Sequence, residues 1–147
     1  MELRFTVRAH ISRPVATVFE AVADPDQLSG YFTTGGAKGR LEKGATVSWD
    51  FADHPGAFPV EVLDVVANER IVLRWAAQAP PGHTEVTISF APVEPDRTLV
   101  TITEEGWESG PEGLSASYGN CMGWSQMLCA MKAYVEYGIN LRDGMYV

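Results

Sequence analysis

The sequence predicts an α+β fold: a curved antiparallel sheet of about six or seven strands wrapped around one long C-terminal helix, with two short helices after the first strand. Three features predict it. Between Leu114 and Arg142, apolar residues recur at helical spacing. Cys121, Trp124, Leu128, Met131 and Val135 advance by three, four, three and four, with Met127, Tyr134 and Leu141 widening the stripe. Most of the preceding chain alternates apolar and polar residues with the period of strands. Finally, Ser12, Pro14 and Asp24-Pro25 supply helix-start signals just after the first alternating run. About 25 residues at 1.5 Å each make the terminal helix roughly 38 Å long. A face that wide needs a large apolar partner, and a sheet curving around it commonly leaves a cavity between the two.

The first strand is read from Leu3, Phe5, Val7, Ala9 and Ile11 on a dry face, with His10 on the wet one. Val15, Val18, Phe19 and Val22 share one side of the first short helix. Asp24-Pro25 ends it and caps a second through Leu28 to Phe32. The glycine-rich stretch from Thr33 to Gly44 lacks the Gly-Lys-Ser/Thr of a phosphate-binding loop and is read as turns around a short strand near Arg40 to Glu42.

Val47, Trp49 and Phe51 alternate in the next strand, and Asp53-His54-Pro55-Gly56 is its expected turn. Phe58 to Val66 follows as a strand whose inward face is ambiguous, because Val62, Leu63, Val65 and Val66 are all apolar. Asn68-Glu69-Arg70 turns into Ile71, Leu73 and Trp75. After a Pro80-Pro81-Gly82 loop come Val86, Ile88 and Phe90, then a turn over Pro92 to Asp96. Val100 and Ile102 point inward on the last strand, and by the same parity so does Glu104. Gly119 and Gly123 weaken the start of the terminal helix, Lys132 and Arg142 lie toward its exit, and Gly138 or Gly144 ends it.

Composition bounds the function. At 147 residues, with 46% hydrophobic and 20% charged residues, residues 1–147 read as a single domain able to bury an ordinary core. Eleven basic against nineteen acidic residues give a formal charge of −8, which argues against nucleic acid or an anionic membrane as partner. No signal-peptide or membrane-spanning run occurs, so a cytoplasmic location is expected. Cys121 and Cys129 are eight apart on one helix, about 12 Å along its axis, too far for a disulfide. Both are read as buried small hydrophobes. No metal is expected, for want of ligand spacing such as His-Glu-x-x-His, and no cofactor.

Five phrases follow one another along the chain: Ile11-Ser12-Arg13-Pro14-Val15 with Val18-Phe19 and Asp24-Pro25; Val62-Leu63-Asp64 running into Arg70-Ile71-Val72-Leu73-Arg74-Trp75; Thr84-Glu85-Val86-Thr87-Ile88-Ser89-Phe90; Thr98-Leu99-Val100-Thr101-Ile102-Thr103 with Gly106; and Gly123-Trp124 with Leu128. In this order they resemble the helix-grip superfamily of START and polyketide-cyclase-like domains (SRPBCC). Within it the chain is similar to the branch named after the C-terminal domain of the activator of the heat-shock-protein-90 ATPase, over about residues 5 to 140. Where that family usually carries Trp-Phe, this chain has Tyr31-Phe32, and nothing in it resembles the eukaryotic activator's separate N-terminal domain. The resemblance implies the fold; that fold hosts carriers, cyclases, hydrolases and regulators.

The aromatic residues carry the functional expectation. Trp49, Phe51, Trp75, Trp107 and Trp124, with Tyr31 and Phe32, are expected to converge on the concave side together with Met127 and Met131. Apolar walls with one or two polar groups describe a pocket for a hydrophobic small molecule, oriented by Tyr31 or Glu104. Glu104 is also the one candidate general acid or base, for an enzyme of cyclase, dehydratase or hydrolase type. His10, His54 and His83 offer less, on an outer face or in turns. A third expectation, a module acting on a chaperone or other protein, requires a contiguous exposed apolar patch.

Overall fold

A computed structural model of the chain describes residues 1–77 and 82–146. β1 (Leu3–Ile11) buries Leu3 and Ile11 and half-buries Phe5, Val7 and Ala9, the expected dry face. α1 (Val15–Ala23) opens after Pro14 and buries Val18, Phe19 and Val22. The Asp24 carboxylate accepts the Asp26 N–H and caps α2 (Pro25–Leu28). α2 is shorter than expected. The Ser29 hydroxyl bonds back to the Pro25 carbonyl and the Gly30 N–H to the Gln27 carbonyl, so Tyr31 and Phe32 lie in turns after the helix.

Seven strands form one antiparallel sheet in the order β1-β7-β6-β5-β4-β3-β2. β2 is Gly36–Lys38, not the expected Arg40 to Glu42. Arg40 instead pairs with Glu20, and the Leu41 N–H bonds to the Ala23 carbonyl, which pins that stretch to α1. β3 (Thr46–Phe51) and β4 (His54–Val66) are joined by Ala52-Asp53 alone. His54, Pro55 and Gly56, expected in the turn, belong to β4, with His54 opposite Phe51.

The ambiguous face of β4 has a simple cause. A register shift between Val62 and Asp64 changes the parity of the strand, so Val60 and Val62 point inward before it and Val65 packs against the core after it. β5 (Arg70–Ala76), β6 (His83–Glu94) and β7 (Arg97–Trp107) complete the sheet. β6 runs through Pro92 with a shift between Pro92 and Glu94, which leaves only Pro95-Asp96 as the turn. His83 is the first residue of β6 rather than part of a turn. The Pro80-Pro81-Gly82 loop lies, except for Gly82, outside the described residues.

α3 (Pro111–Tyr137) crosses the concave face. It starts three residues before Leu114 and runs unbroken through Gly119 and Gly123. It ends at Gly138, whose φ of 70° and N–H bonds to the Ala133 and Tyr134 carbonyls make the left-handed cap. Leu141 and Arg142 therefore fall beyond the helix, and Leu141 is exposed instead of widening the stripe. Trp124, Met127, Leu128 and Met131 are the buried face. The cysteines are not buried: Cys121 is half-exposed and Cys129 exposed. Cys129 sits two positions from both Met127 and Met131, about 200° around the helix from each. No helix of the described residues is long and apolar enough to cross a membrane.

Candidate functional site

Trp75 on β5, Thr84 on β6 and Glu104 on β7 share the inward parity, and cross-strand pairing sets Trp75 opposite Thr84 and Val86 opposite Glu104. α3 closes over them with Asn120 and Trp124, one turn apart on the same side. Glu104 is fully buried where they meet. Its Oε2 accepts from Trp75 Nε1 at 2.9 Å, Thr84 Oγ1 at 2.6 Å and Asn120 Nδ2 at 3.0 Å. Its Oε1 accepts from Trp124 Nε1 at 2.8 Å and from Asn120 Nδ2 at 3.2 Å. A carboxylate has about four lone-pair sites, so these neutral donors use its capacity without a cation. One side chain thereby ties three strands to α3.

Aromatic rings fill the space beside this knot. Phe32 contacts Trp49, Phe51 and Trp124 with centroids 5.6, 5.1 and 5.1 Å apart. Trp75 lies 5.7 Å from Trp49 and 5.6 Å from Trp124. Phe58 stacks on Phe51 at 5.9 Å and meets Trp75 at 5.9 Å. Phe51 and Phe58 are half-buried at the rim, while Trp49 is buried with no hydrogen-bond partner for its Nε1 among the described residues. Met127 and Met131 are fully buried in the same core.

Trp107 stands apart from the expected convergence, and Tyr31, inside the same core as the other rings, has its hydroxyl engaged by the backbone. Trp107 belongs to a separate cluster with Leu3 and Ala77, stacked near Phe5 at 5.8 Å, because β7 carries it three positions past Glu104 toward the end of the sheet. The Tyr31 hydroxyl already donates to the Ala21 carbonyl at 2.9 Å, and its ring packs on Tyr134. Burial, with Tyr134 beside it, pushes that phenol well above its ordinary value. Tyr31 is thus engaged within the core. His10, His54 and His83 are exposed, and among the described residues no group of three His, Cys, Asp or Glu side chains could hold a metal ion.

Thr84, Asn120 and Phe58 complete the site without having been singled out from sequence. Thr84 shares the parity of Val86 and Ile88, and Asn120 stands four residues before Trp124; those two signals were available.

Comparison with known proteins agrees with this architecture. The protein SSP2350 from Staphylococcus saprophyticus is 26% identical with a TM-score of 0.80, over 95% of this chain and 96% of that one. DynU16, from the dynemicin biosynthetic locus, is 24% identical with a TM-score of 0.77, over 92% of this chain and 48% of that one. The Aha1 dimer from Colwellia psychrerythraea is 21% identical with a TM-score of 0.77, over 92% of this chain and 98% of that one. No protein of curated function matches the chain. These neighbours share its helix-grip fold, and together with a family match they support the SRPBCC superfamily. The model of one family within it, described as Activator of Hsp90 ATPase homolog 1-like protein, matches residues 12–136, and the chain belongs to that family.

Proposed function

We propose that this domain binds a small, largely hydrophobic molecule between the sheet and α3, against Phe32, Trp49, Phe51, Trp75, Trp124, Met127 and Met131. The observation that carries this reading is Trp49 Nε1, a buried donor without a partner in an otherwise apolar wall. A buried N–H left unpaired is costly, and a ligand acceptor would satisfy it. Phe51 and Phe58, half-buried at the rim, are the rings that would move to admit the molecule. Glu104 orders the wall by holding Trp75 and Trp124. In an enzymatic reading, with Glu104 as acid or base, one of its oxygens would first have to leave its donors.

Native mass spectrometry of the purified protein, with solvent extraction, tests the proposal. The expected result is a stoichiometric apolar adduct lost in Trp49→Phe, which removes the free N–H while keeping an aromatic ring. An apo mass that stays unchanged across a panel of apolar molecules, with no quenching of tryptophan fluorescence, would refute binding. Glu104→Gln separates the enzyme: lost turnover with binding intact would support it.

One observation favours a second reading, an interaction with a chaperone ATPase of the kind the family is described by. Tyr118 and Met122, one helical turn apart on the outer side of α3, are 67% and 60% exposed. Stimulation of an Hsp90 ATPase that is lost in Tyr118→Glu would support it. No stimulation by the wild type would remove it.

A further inference from the structure

α3 turns one side to the sheet and the other to solvent. On the outer side Ser115, Tyr118, Gly119, Met122 and Cys129 are exposed, all within about 60° of Met122 around the helix. A solvated helix face is ordinarily polar and charged. Residues 113–131, however, carry no charged side chain, so this strip is uncharged in a chain of formal charge −8. Leu141 and Met145, both exposed, wall a cleft with Cys129 that continues the apolar surface beside the helix.

Two further features point to a close neighbour. Glycine inside a helix costs about 1 kcal/mol relative to alanine. Yet a Cβ built on Gly119 would meet nothing within 4 Å, so packing within the single chain gives no reason for glycine there. The strip also ends in opposite charges: Glu112 and Lys132, both exposed, lie ten residues to either side of Met122.

We propose that this strip is the interface of a two-fold dimer in which α3 packs antiparallel against α3 of a second copy, with Met122 at the dyad. The symmetry sets Glu112 level with the partner's Lys132, and repeats that match at the other end. Antiparallel helix dipoles favour the same orientation. Two acidic copies repel each other least across the face that carries no charge. This self-complementarity favours a second copy over an unrelated protein, and it gives to that copy the patch that the chaperone reading gives to an ATPase.

Sedimentation equilibrium of the whole protein under reducing conditions should show a reversible monomer–dimer equilibrium. Met122→Glu, at an exposed position, sets like charges across the dyad and should weaken the dimer at least about tenfold, with the monomer's thermal midpoint unchanged. Packed helix axes lie about 8–10 Å apart, which brings the two Met122 Cα atoms within reach of a disulfide. With Cys121 and Cys129 replaced by serine, Met122→Cys should therefore cross-link two copies on oxidation by copper phenanthroline. A variant keeping only Cys129, which falls level with the partner's Ser115, should not. A chain monomeric up to about 1 mM, a dimer that Met122→Glu leaves intact, no cross-link through Met122→Cys, or an equal one through Cys129 would each overturn the proposal. A monomer whose stimulation of an Hsp90 ATPase is lost in Tyr118→Glu would overturn it in favour of the chaperone reading.

Discussion

Two buried carboxylates, Glu104 beneath the middle of α3 and Glu136 in its last turn, are held by opposite means. Glu104 is surrounded by neutral donors from two neighbouring strands and the helix, without a cation. Glu136 accepts the Ser12 N–H at 2.9 Å and pairs with Lys132, whose side chain is 46% exposed. Burial pushes the Glu136 carboxyl up, but the Lys132 bond, the Ser12 amide and the charges of Lys132 and Arg13 outweigh it and hold it below the usual carboxylate range. The first arrangement depends on the geometry of fixed dipoles and is hidden from solvent ions. The second depends on an ion pair that salt can screen and that acid breaks by protonating the carboxylate.

Removing a wall of the Glu104 knot should have the largest effect. Trp124→Ala loses a buried ring and one donor to Glu104, and should cost about 3–5 kcal/mol in chemical denaturation. A loss below 1 kcal/mol would mean that α3 does not dock through this ring. Glu104→Gln turns an all-acceptor group into one whose amide faces other donors, at a cost of about 1–3 kcal/mol. That loss should be the same in 0.1 and 1 M salt, over which the screening length falls from about 10 to about 3 Å. A loss that shrinks with salt would erase the distinction between the two sites.

At the start of α3, a Cβ added to Gly113 would lie 1.9 Å from the Glu108 carbonyl oxygen, backbone that cannot easily yield. Gly113→Ala should therefore destabilise by about 1–3 kcal/mol, read from the thermal midpoint. Glu136→Gln should show the smallest loss, about 1 kcal/mol at neutral pH. Because the folded-state carboxyl is depressed, its contribution is present above the ordinary carboxylate value and disappears as pH falls through the lowered folded value. The difference between wild type and Glu136→Gln should accordingly vanish in acid and narrow in high salt. A difference that persists at pH 2 would show that Glu136 acts through packing rather than charge.

The legibility of the site follows from the same physics. Strand parity set Glu104 inward among Val100 and Ile102, and helical spacing set Trp124, Met127 and Met131 on one face; both periods are properties of the local chain. Parity failed where the ladder slips, so the inward residues of β4 became clear only with the register shift after Val62. The inward faces of Thr84, Asn120 and Trp75 were readable from parity and helical spacing, but their meeting on Glu104 was not, because they come from separate elements.

What the sequence by itself determined is the order of elements, the buried faces of strands and helix, and membership in a fold, since these rest on periodicity and on capping and turn chemistry within a few residues. Tertiary structure alone decided that Trp107 packs apart from the other tryptophans, that Tyr31 spends its hydroxyl on Ala21, and that Arg142 returns over Phe32 after the helix has ended. The physical reason is that hydrogen-bond partners and ring contacts are chosen across the sheet and along the returning chain. Their sequence separations are long, and no local pattern encodes them.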